Sequence, residues 1–269
     1  MPATSYLIIG SGVFGASTAL HLARKHPDSK IVLVDRNAFD APTRVAASWD
    51  WNKVVRADYE DIIYTKLALE ARHLWESDTV WKPYFHQTGV LWISSTEFAG
   101  RVRDNFKRLG AKDDLRIVPV DECKKLYGGI FDDADYTGIT DVLLNKSSGW
   151  ANAKEALQNT IQEAVKLGVE YIAAEVTSLR FADGEDGDCT GVVTASGDVI
   201  TADKVVLSTG AFTPRLLSDS APRRRELHAS ERIMASAVAE ATVPLSEEQI
   251  PIFRGMPVAI QVVPLGQGG

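Results

Sequence analysis

Two short apolar runs near the N-terminus enclose a glycine-rich turn and a helical pattern. Tyr6–Ile9 and Ile31–Asp35 have the continuous apolar character of parallel strands that are covered on both faces. Between them, small and apolar residues recur at helical spacing: Ala16, Ala19, Leu20, Leu22 and Ala23. Pro27 ends this helix, because proline disfavours the helical conformation of the residue before it. The pattern predicts one βαβ unit.

The middle of the chain is less regular. No period is visible from 40 to 58, whereas 58–77 is predicted to be a helix and 89–94 a strand. The inward positions expected for that helix are Ile62, Leu67, Leu69, Ala71 and Leu74. We expect 97–128 to form helices and loops that face water, and Lys154–Lys166 to form another amphipathic helix.

From Val169 onward the pattern changes to alternating strands separated by turns. Asp183-Gly184 and Ser196-Gly197-Asp198 are typical hairpin turns. The mixture predicts an α/β fold in which a Rossmann-like domain with crossover hairpins is interleaved with an incomplete mixed-sheet α+β domain. The predicted limits are 1–82 with 146–220 for the first domain, and 83–145 with 221–269 for the second.

The turn after the first strand has the sequence pattern G-x-G-x-x-G. It comprises Gly10, Ser11, Gly12, Val13, Phe14 and Gly15. In this pattern the glycines permit a tight turn, close backbone approach to a pyrophosphate and close helix–strand packing, and the helix N-terminus attracts phosphate charge. Asp35 ends the second strand, where a carboxylate can accept hydrogen bonds from ribose hydroxyls. The turn therefore predicts a dinucleotide site and disfavours NADP, but it does not separate NAD from FAD.

Four further stretches carry a resemblance to a known family. The predicted strands of 198–211, which end in Ser208-Thr209-Gly210-Ala211, resemble those over the adenine end of FAD in amine oxidases of the glutathione-reductase superfamily. The loop 45–71 (VAASWDWNKVVRADYEDIIYTKLALEA), with 82–91 and 148–153, is similar to fungal fructosyl amino acid oxidases and to sarcosine, pipecolate and saccharopine oxidases. The resemblance covers residues 5–220 and becomes loose towards 260.

The resemblance implies FAD as cofactor and oxidation of the C–N bond of a secondary amine or N-substituted amino acid, with O2 reduced to H2O2. It places Ser48 at the pyrophosphate or ribityl chain, and Asn52 and Lys53 beside the isoalloxazine. Val176 would give backbone contacts to adenine, and Gly210 would pack near the dinucleotide. Arg36, next to Asp35, belongs to the same predicted cofactor site.

Lys53 is the one residue for which we expect a catalytic role. An ammonium group near the flavin would stabilise negative charge and could hold a substrate carboxylate, although most lysines are simply exposed. Trp49 and Trp51 could line the flavin, but indoles more often serve packing. His86 could act as a general base, but we expect a structural role for it.

Composition and charge narrow the function further. The formal net charge of −7 gives no reason to expect a nucleic acid partner, and no apolar run approaches the length of a membrane span. The two cysteines and five histidines match no metal-ligand spacing. We expect a monomeric intracellular protein, cytoplasmic or peroxisomal, that takes a small amine substrate and O2 and has no membrane partner.

Two alternatives remain open at this stage. In the resembling family, a lysine that promotes the reaction with O2 and a cysteine that attaches FAD lie downstream of residue 269. The first alternative is therefore a catalytically incompetent fragment of such an oxidase, with weak FAD binding or none. The second is an NAD-dependent dehydrogenase that uses the same glycine turn.

Overall fold

The computed structural model describes residues 3–112, 114–184, 187–236 and 238–262. The chain divides into two compact units, Met1–Trp51 with Ala153–Ala239, and Asn52–Asn152 with Glu240–Gly269. These bounds differ from the predicted domain limits at three places. Residues 52–82 and 146–152 belong to the second unit, and 221–239 belong to the first.

The helices within the described ranges are α1 (Val13–Lys25), α2 (Ile62–Ser77), α3 (Thr96–Arg108), α4 (Val120–Cys123), α5 (Ala153–Lys166), α6 (Thr213–Ser220) and α7 (Ile250–Phe253). The strands are β1 (Tyr6–Ile9), β2 (Ile31–Asp35), β3 (Lys53–Val55), β4 (Phe85–His86), β5 (Val90–Ile93), β6 (Leu115–Pro119), β7 (Asp141–Asn145), β8 (Gly149–Ala151), β9 (Glu170–Ala173), β10 (Val176–Phe181), β11 (Cys189–Thr194), β12 (Val199–Thr201), β13 (Lys204–Leu207) and β14 (Val258–Gln261).

The first unit is built on a parallel sheet with the strand order β13-β1-β2-β9. β1 lies in its centre, and Leu7 and Ile8 are fully buried. α1 connects β1 to β2 and packs against α5. This arrangement confirms the predicted βαβ unit and the α/β fold class. β1 is apolar along its length because a parallel strand with neighbours on both edges is covered on both faces of the sheet.

A second, antiparallel sheet of this unit has the order β10-β11-β12. Its buried residues Leu179 and Val192 pack in one cluster with Leu7 and Val34 of the parallel sheet. The hairpins predicted after Val169 are thus confirmed for these three strands. They are wrong for β9, which joins the parallel sheet beside β2 instead. β13 follows the turn after β12 and joins the parallel sheet beside β1.

The second unit contains a mixed sheet with the order β14-β5-β7-β6. All four residues of β5 are buried. β6 corrects the expectation that 97–128 forms only helices and loops in water. Its inward residue Val118 is 1% exposed, and α3 buries Val102 and Phe106 completely.

The remaining corrections concern α2 and the aperiodic loop. α2 begins at Ile62 because the Asp61 side chain caps it by accepting a hydrogen bond from the Ile63 N–H. Two of its predicted inward residues face outward, since Leu67 is 55% exposed and Ala71 is also exposed. The loop 40–58 contains β3, which pairs with β8 in the small sheet β3-β8-β4.

None of the helices in the described ranges is long and apolar enough to cross a membrane.

Candidate dinucleotide-binding site

Two glycines of the turn after β1 are required by the fold itself. Gly10 has a φ of +93°, a conformation that glycine adopts without strain. A Cβ atom on Gly10 would lie 2.5 Å from the Ser208 carbonyl oxygen, and one on Gly15 would lie 1.8 Å from the Gly10 carbonyl oxygen. Both obstacles are backbone atoms, so only glycine allows this close packing of β1, α1 and the end of β13.

Gly12 is different, because packing within the chain does not require a glycine there. Among the described residues, and apart from its neighbours in the chain, the only heavy atom within 4 Å of a Cβ placed on Gly12 is the Ser48 hydroxyl oxygen, at 3.4 Å. The backbone at this position is therefore open to a group from outside the chain. A pyrophosphate that approaches the backbone closely fits this opening.

The N-terminus of α1 adjoins that opening. Gly12 is the N-cap residue and supplies no side-chain cap, while the Val13 N–H donates to the Ser48 hydroxyl oxygen at 3.1 Å. Val13 is 53% exposed and Phe14 is 80% exposed. The positive end of a 13-residue helix thus reaches the surface, where an anion is stabilised.

Asp35 lies beside the turn, as the sequence predicts. Its Oδ2 accepts a hydrogen bond from the Ser11 N–H at 2.8 Å, and its Oδ1 accepts one from the Asn37 N–H at 3.2 Å. The carboxylate is half-buried at the end of β2. Next to it, the Arg36 guanidinium stacks on the ring of Phe212, 4.5 Å from the ring centroid.

A buried arginine in the same region has no signal in the sequence. Arg44 is 8% exposed, and its Nη1 donates to the Ser11 carbonyl oxygen at 3.1 Å and to the Ser11 hydroxyl at 2.6 Å. Its Nη2 donates to the Ala38 carbonyl at 3.0 Å and to the Tyr171 hydroxyl at 3.3 Å. Arg44 belongs to an aperiodic loop and Tyr171 to a distant strand, so only the fold brings them to the glycine turn.

Two further predicted cofactor residues lie in the first unit. Val176 is the first residue of β10 and pairs with Thr194. Gly210 has a φ of +54° and begins a 3-10 turn after β13, and no heavy atom lies within 4 Å of a Cβ placed there. Their contacts to a nucleotide stay a prediction.

The two tryptophans that precede Lys53 have different surroundings. The Trp49 ring has two cations near it, with the Arg44 guanidinium carbon 5.5 Å and the Lys154 Nζ 5.2 Å from its centroid. Trp51 is 79% exposed. Trp49 therefore has the contacts expected of a packing residue, and Trp51 is available at the surface.

Asn52 and Lys53 belong to the second unit. Both side chains are exposed, and Lys53 is the first residue of β3, opposite Ala151 of β8. The catalytic role of Lys53 and its place beside the flavin stay predictions.

His86 lies in the same small sheet, where it contacts residues of its own unit. Its Nε2 is 2.6 Å from the Asn152 Oδ1, and its ring stacks on Trp150 with a centroid distance of 4.1 Å. Such contacts are those of a structural histidine, which is the role that we expected for it.

The second unit also contains a buried carboxylate that the sequence did not single out. Asp58 has no exposed surface and accepts hydrogen bonds from the Trp92 indole N–H at 3.1 Å and from the Asn145 amide at 2.5 Å. Burial raises the pKa of Asp58 above its usual range, although these hydrogen bonds and the nearby Arg56 and Arg72 lower it. The group ties the loop after β3 to β5 and β7.

Comparison with known proteins identifies the family. A family model described as DAO, FAD dependent oxidoreductase, matches residues 5–263. The chain belongs to this family of FAD-dependent oxidoreductases. The membership confirms FAD as the predicted cofactor, and the NAD-dependent alternative is wrong.

Relatives of this DAO-family chain include amine and amino acid oxidases. The chain is 29% identical to L-saccharopine oxidase of Schizosaccharomyces pombe, over 94% of this chain and 59% of that protein. It is also 29% identical to the amino acid oxidase fsqB of Aspergillus fumigatus, over 79% of this chain and 50% of that protein. The chain thus spans between half and three-fifths of the length of these relatives.

A solved structure confirms the fold of the DAO-family chain. A modified fructosyl peptide oxidase from Aspergillus nidulans matches with a TM-score of 0.73 and 23% identity, over 97% of this chain and 60% of that one. FAD carries a diphosphate between its adenosine and its flavin. The open backbone at Gly12, the exposed start of α1 and the buried guanidinium of Arg44 fit that group.

Proposed function

We propose that this chain binds FAD at the glycine turn and supports oxidation of a secondary amine or N-substituted amino acid by O2. The observation that carries the proposal is the open backbone at Gly12. Packing within the chain does not require a glycine at this position, and a diphosphate would fill the space beside it. The names of the relatives support the substrate class, since those proteins act on saccharopine, amino acids or fructosyl peptides. When bound, FAD would accept a hydride equivalent from the C–H of the carbon next to the substrate nitrogen, which becomes C=N, and its two electrons would pass to O2 to give H2O2.

Different residues of the chain would bind different parts of the cofactor. The backbone of the turn and the N-terminus of α1 would bind the diphosphate, with Ser48 beside it. The Asp35 carboxylate would accept hydrogen bonds from ribose hydroxyls. Arg36, Val176 and Gly210 would form the adenosine end, and Asn52 with Lys53 would contact the isoalloxazine.

Lys53 would supply positive charge where negative charge develops. An ammonium group beside the flavin lowers the free energy of the anionic reduced ring and can hold a substrate carboxylate in place. No protein nucleophile is required by this scheme. The chain therefore acts by binding, orientation and charge.

A titration followed by a turnover assay tests the proposal. FAD is added to the purified chain while flavin fluorescence is recorded, and peroxide release is then measured with saccharopine, sarcosine, pipecolate and fructosyl-valine. Stoichiometric binding with peroxide supports the full proposal. Stoichiometric binding without peroxide supports the FAD site and contradicts oxidation by this chain. Weak FAD binding or none, without peroxide, supports the catalytically incompetent alternative.

Replacing Lys53 is expected to affect turnover and not cofactor binding. We expect Lys53→Met to lower kcat/KM for peroxide release about 100-fold, a loss typical of one electrostatic stabiliser of a transition state. The FAD dissociation constant should change less than about threefold. The control is Lys66→Met, which removes an exposed lysine of the same unit; equal activities of the two variants would refute the role.

We further propose a monomer located inside the cell, in the cytoplasm or the peroxisome. The two cysteines support a reducing compartment, since Cys123 and Cys189 are both free. Sedimentation equilibrium of the purified chain tests the monomer.

A further inference from the structure

Arg44 is a buried cation at the glycine turn. Its guanidinium is more than nine-tenths buried and reaches three separate elements: the turn at Ser11, the loop at Ala38 and β9 at Tyr171. Four hydrogen bonds hold it, and its Nε has no hydrogen-bond partner among the described residues. Such a group is held rigidly in one place.

The positive charge of Arg44 has no counterion in the part of the chain that the structure describes. All of its hydrogen-bond acceptors are carbonyl or hydroxyl oxygens. The neighbouring Asp35 carboxylate instead accepts from the backbone N–H groups of Ser11 and Asn37. A buried charge without a partner is costly to the folded state, and an arriving anion reduces that cost.

Arg44 also fixes the orientation of one peptide group of the turn. Its Nη1 binds the carbonyl oxygen of Ser11, and that carbonyl shares a planar, trans peptide unit with the Gly12 N–H. Because the two groups point in opposite directions, the Gly12 N–H is directed away from the guanidinium. The arginine thus holds in place the peptide that precedes the opening at Gly12.

A second cation extends this positive region. The Arg44 guanidinium carbon and the Lys154 Nζ both lie near the Trp49 ring, 5.5 Å and 5.2 Å from its centroid. Trp49 directly follows Ser48, whose hydroxyl accepts from the first N–H of α1. Two positive charges therefore lie close to the segment that contacts the start of α1.

We propose that Arg44 is a positioning residue for the diphosphate of the cofactor, which it favours by fixing the turn and by supplying an uncompensated positive charge. The inference rests on the proposed FAD site. It predicts that the arginine contributes to the binding of a diphosphate and contributes nothing to the binding of a nucleoside that lacks one.

The experiment compares ADP with adenosine, because both carry the same nucleoside. Dissociation constants are measured by calorimetry for the wild-type chain, for Arg44→Met, for Arg44→Gln and for Arg44→Lys. Arg215→Gln is the matched control, since it removes a cation from an exposed position of the same unit, where the side chain is 86% exposed. Thermal unfolding of each variant is recorded in parallel.

We expect Arg44→Met and Arg44→Gln to weaken ADP about tenfold or more and to leave adenosine unchanged within about twofold. Arg44→Lys should keep part of the preference for ADP, because lysine keeps the positive charge. The rest should be lost, because lysine does not reproduce the hydrogen bonds of the guanidinium to the Ser11 carbonyl oxygen and hydroxyl. Raising the salt concentration should weaken ADP binding by the wild-type chain more than by Arg44→Met. Arg215→Gln should behave as wild type in every assay.

The experiment separates failure of the proposed FAD site from failure of the role proposed for Arg44. If the wild-type chain binds neither FAD nor ADP, the proposed function fails, and this inference fails with it. If the wild-type chain binds ADP and a folded Arg44→Met or Arg44→Gln keeps the wild-type ratio of ADP to adenosine affinities, only this inference is overturned. Arg44→Met preserves the apolar volume of the side chain, so it provides a second variant if Arg44→Gln does not fold.

Discussion

Gly15→Ala is expected to unfold the first unit, whereas Gly12→Ala is expected to fold normally and lose the cofactor. A methyl group at Gly15 would lie 1.8 Å from the Gly10 carbonyl oxygen, in the centre of the β1–α1 connection. Relief of that overlap requires a shift of backbone, and we expect a loss of more than about 4 kcal/mol, a large part of the stability of an ordinary domain. The measurement is urea unfolding followed by circular dichroism.

Gly12→Ala places its methyl group 3.4 Å from the Ser48 hydroxyl oxygen, which is an ordinary van der Waals contact and no overlap with the described residues. The midpoint of thermal unfolding should therefore remain within about 2 °C of wild type. The methyl group would occupy the place where a diphosphate approaches the backbone, so FAD affinity should fall about 100-fold or more. Fluorescence titration with FAD measures this loss.

Gly100→Ala is the matched control for both glycine variants. Gly100 lies inside α3, and no heavy atom is within 4 Å of a Cβ placed there. This change should stabilise the chain by about 0.5–1 kcal/mol, because alanine favours a helix interior over glycine. A Gly15→Ala variant as stable as Gly100→Ala would show that the turn is not packed as described, and a Gly12→Ala variant with wild-type FAD affinity would place the diphosphate elsewhere.

Asp58→Ala is expected to cost the second unit about 3 kcal/mol or more, because two buried donors lose their acceptor. These are the Trp92 indole N–H and the Asn145 amide, which both donate to the Asp58 carboxylate. Asp58→Asn keeps the volume and one acceptor oxygen, so we expect it to cost about 1 kcal/mol. Urea unfolding at pH 7 measures both losses.

The pH dependence of stability provides a separate test of Asp58. Burial is the largest influence on this carboxyl and raises its pKa in the folded state above the ordinary value of 3.8. The folded state therefore binds the proton of Asp58 more tightly than the unfolded state does. Asp58 consequently contributes most to the free energy of unfolding at pH values below its ordinary pKa. Its contribution falls as the pH rises from there through the raised pKa and is constant above it.

Asp58→Asn should remove this part of the pH dependence, and Asp104→Asn is the control, because Asp104 is an exposed carboxylate of the same unit. The free energy of unfolding is measured for all three chains at several pH values from 3.5 to about 7. If Asp58→Asn and wild type keep the same dependence on pH, burial does not raise the pKa of Asp58.

The local part of the fold could be predicted from the sequence because its signals lie close together along the chain. The strand Tyr6–Ile9, the glycine turn, α1 and Ile31–Asp35 form one continuous unit, and the structure places all of them as expected. The antiparallel strands β10, β11 and β12 were similarly marked by turn residues between alternating runs. In both cases the residues that end each strand or helix lie within the same short stretch of sequence, so the limits of the element could be predicted locally.

The errors arose where burial depends on distant partners. β6 has only one fully buried residue, Val118, so its alternation was too weak to distinguish from a loop. Leu67 was expected to point inward because it is apolar, yet it is exposed on α2. β9 was expected to be a hairpin strand, but it pairs with β2, more than 130 residues away in the sequence.

By itself, the sequence of this DAO-family protein determined the glycine turn of the first crossover and predicted its nucleotide chemistry, because Gly10, Gly12, Gly15 and Asp35 form a local motif. Only the tertiary structure decided the environment of that motif. It brought Arg44 and Tyr171 to Ser11, and it buried Asp58 between Trp92 and Asn145. The physical reason is that desolvation and charge compensation depend on which distant groups surround an atom, and spacing along the chain does not record that.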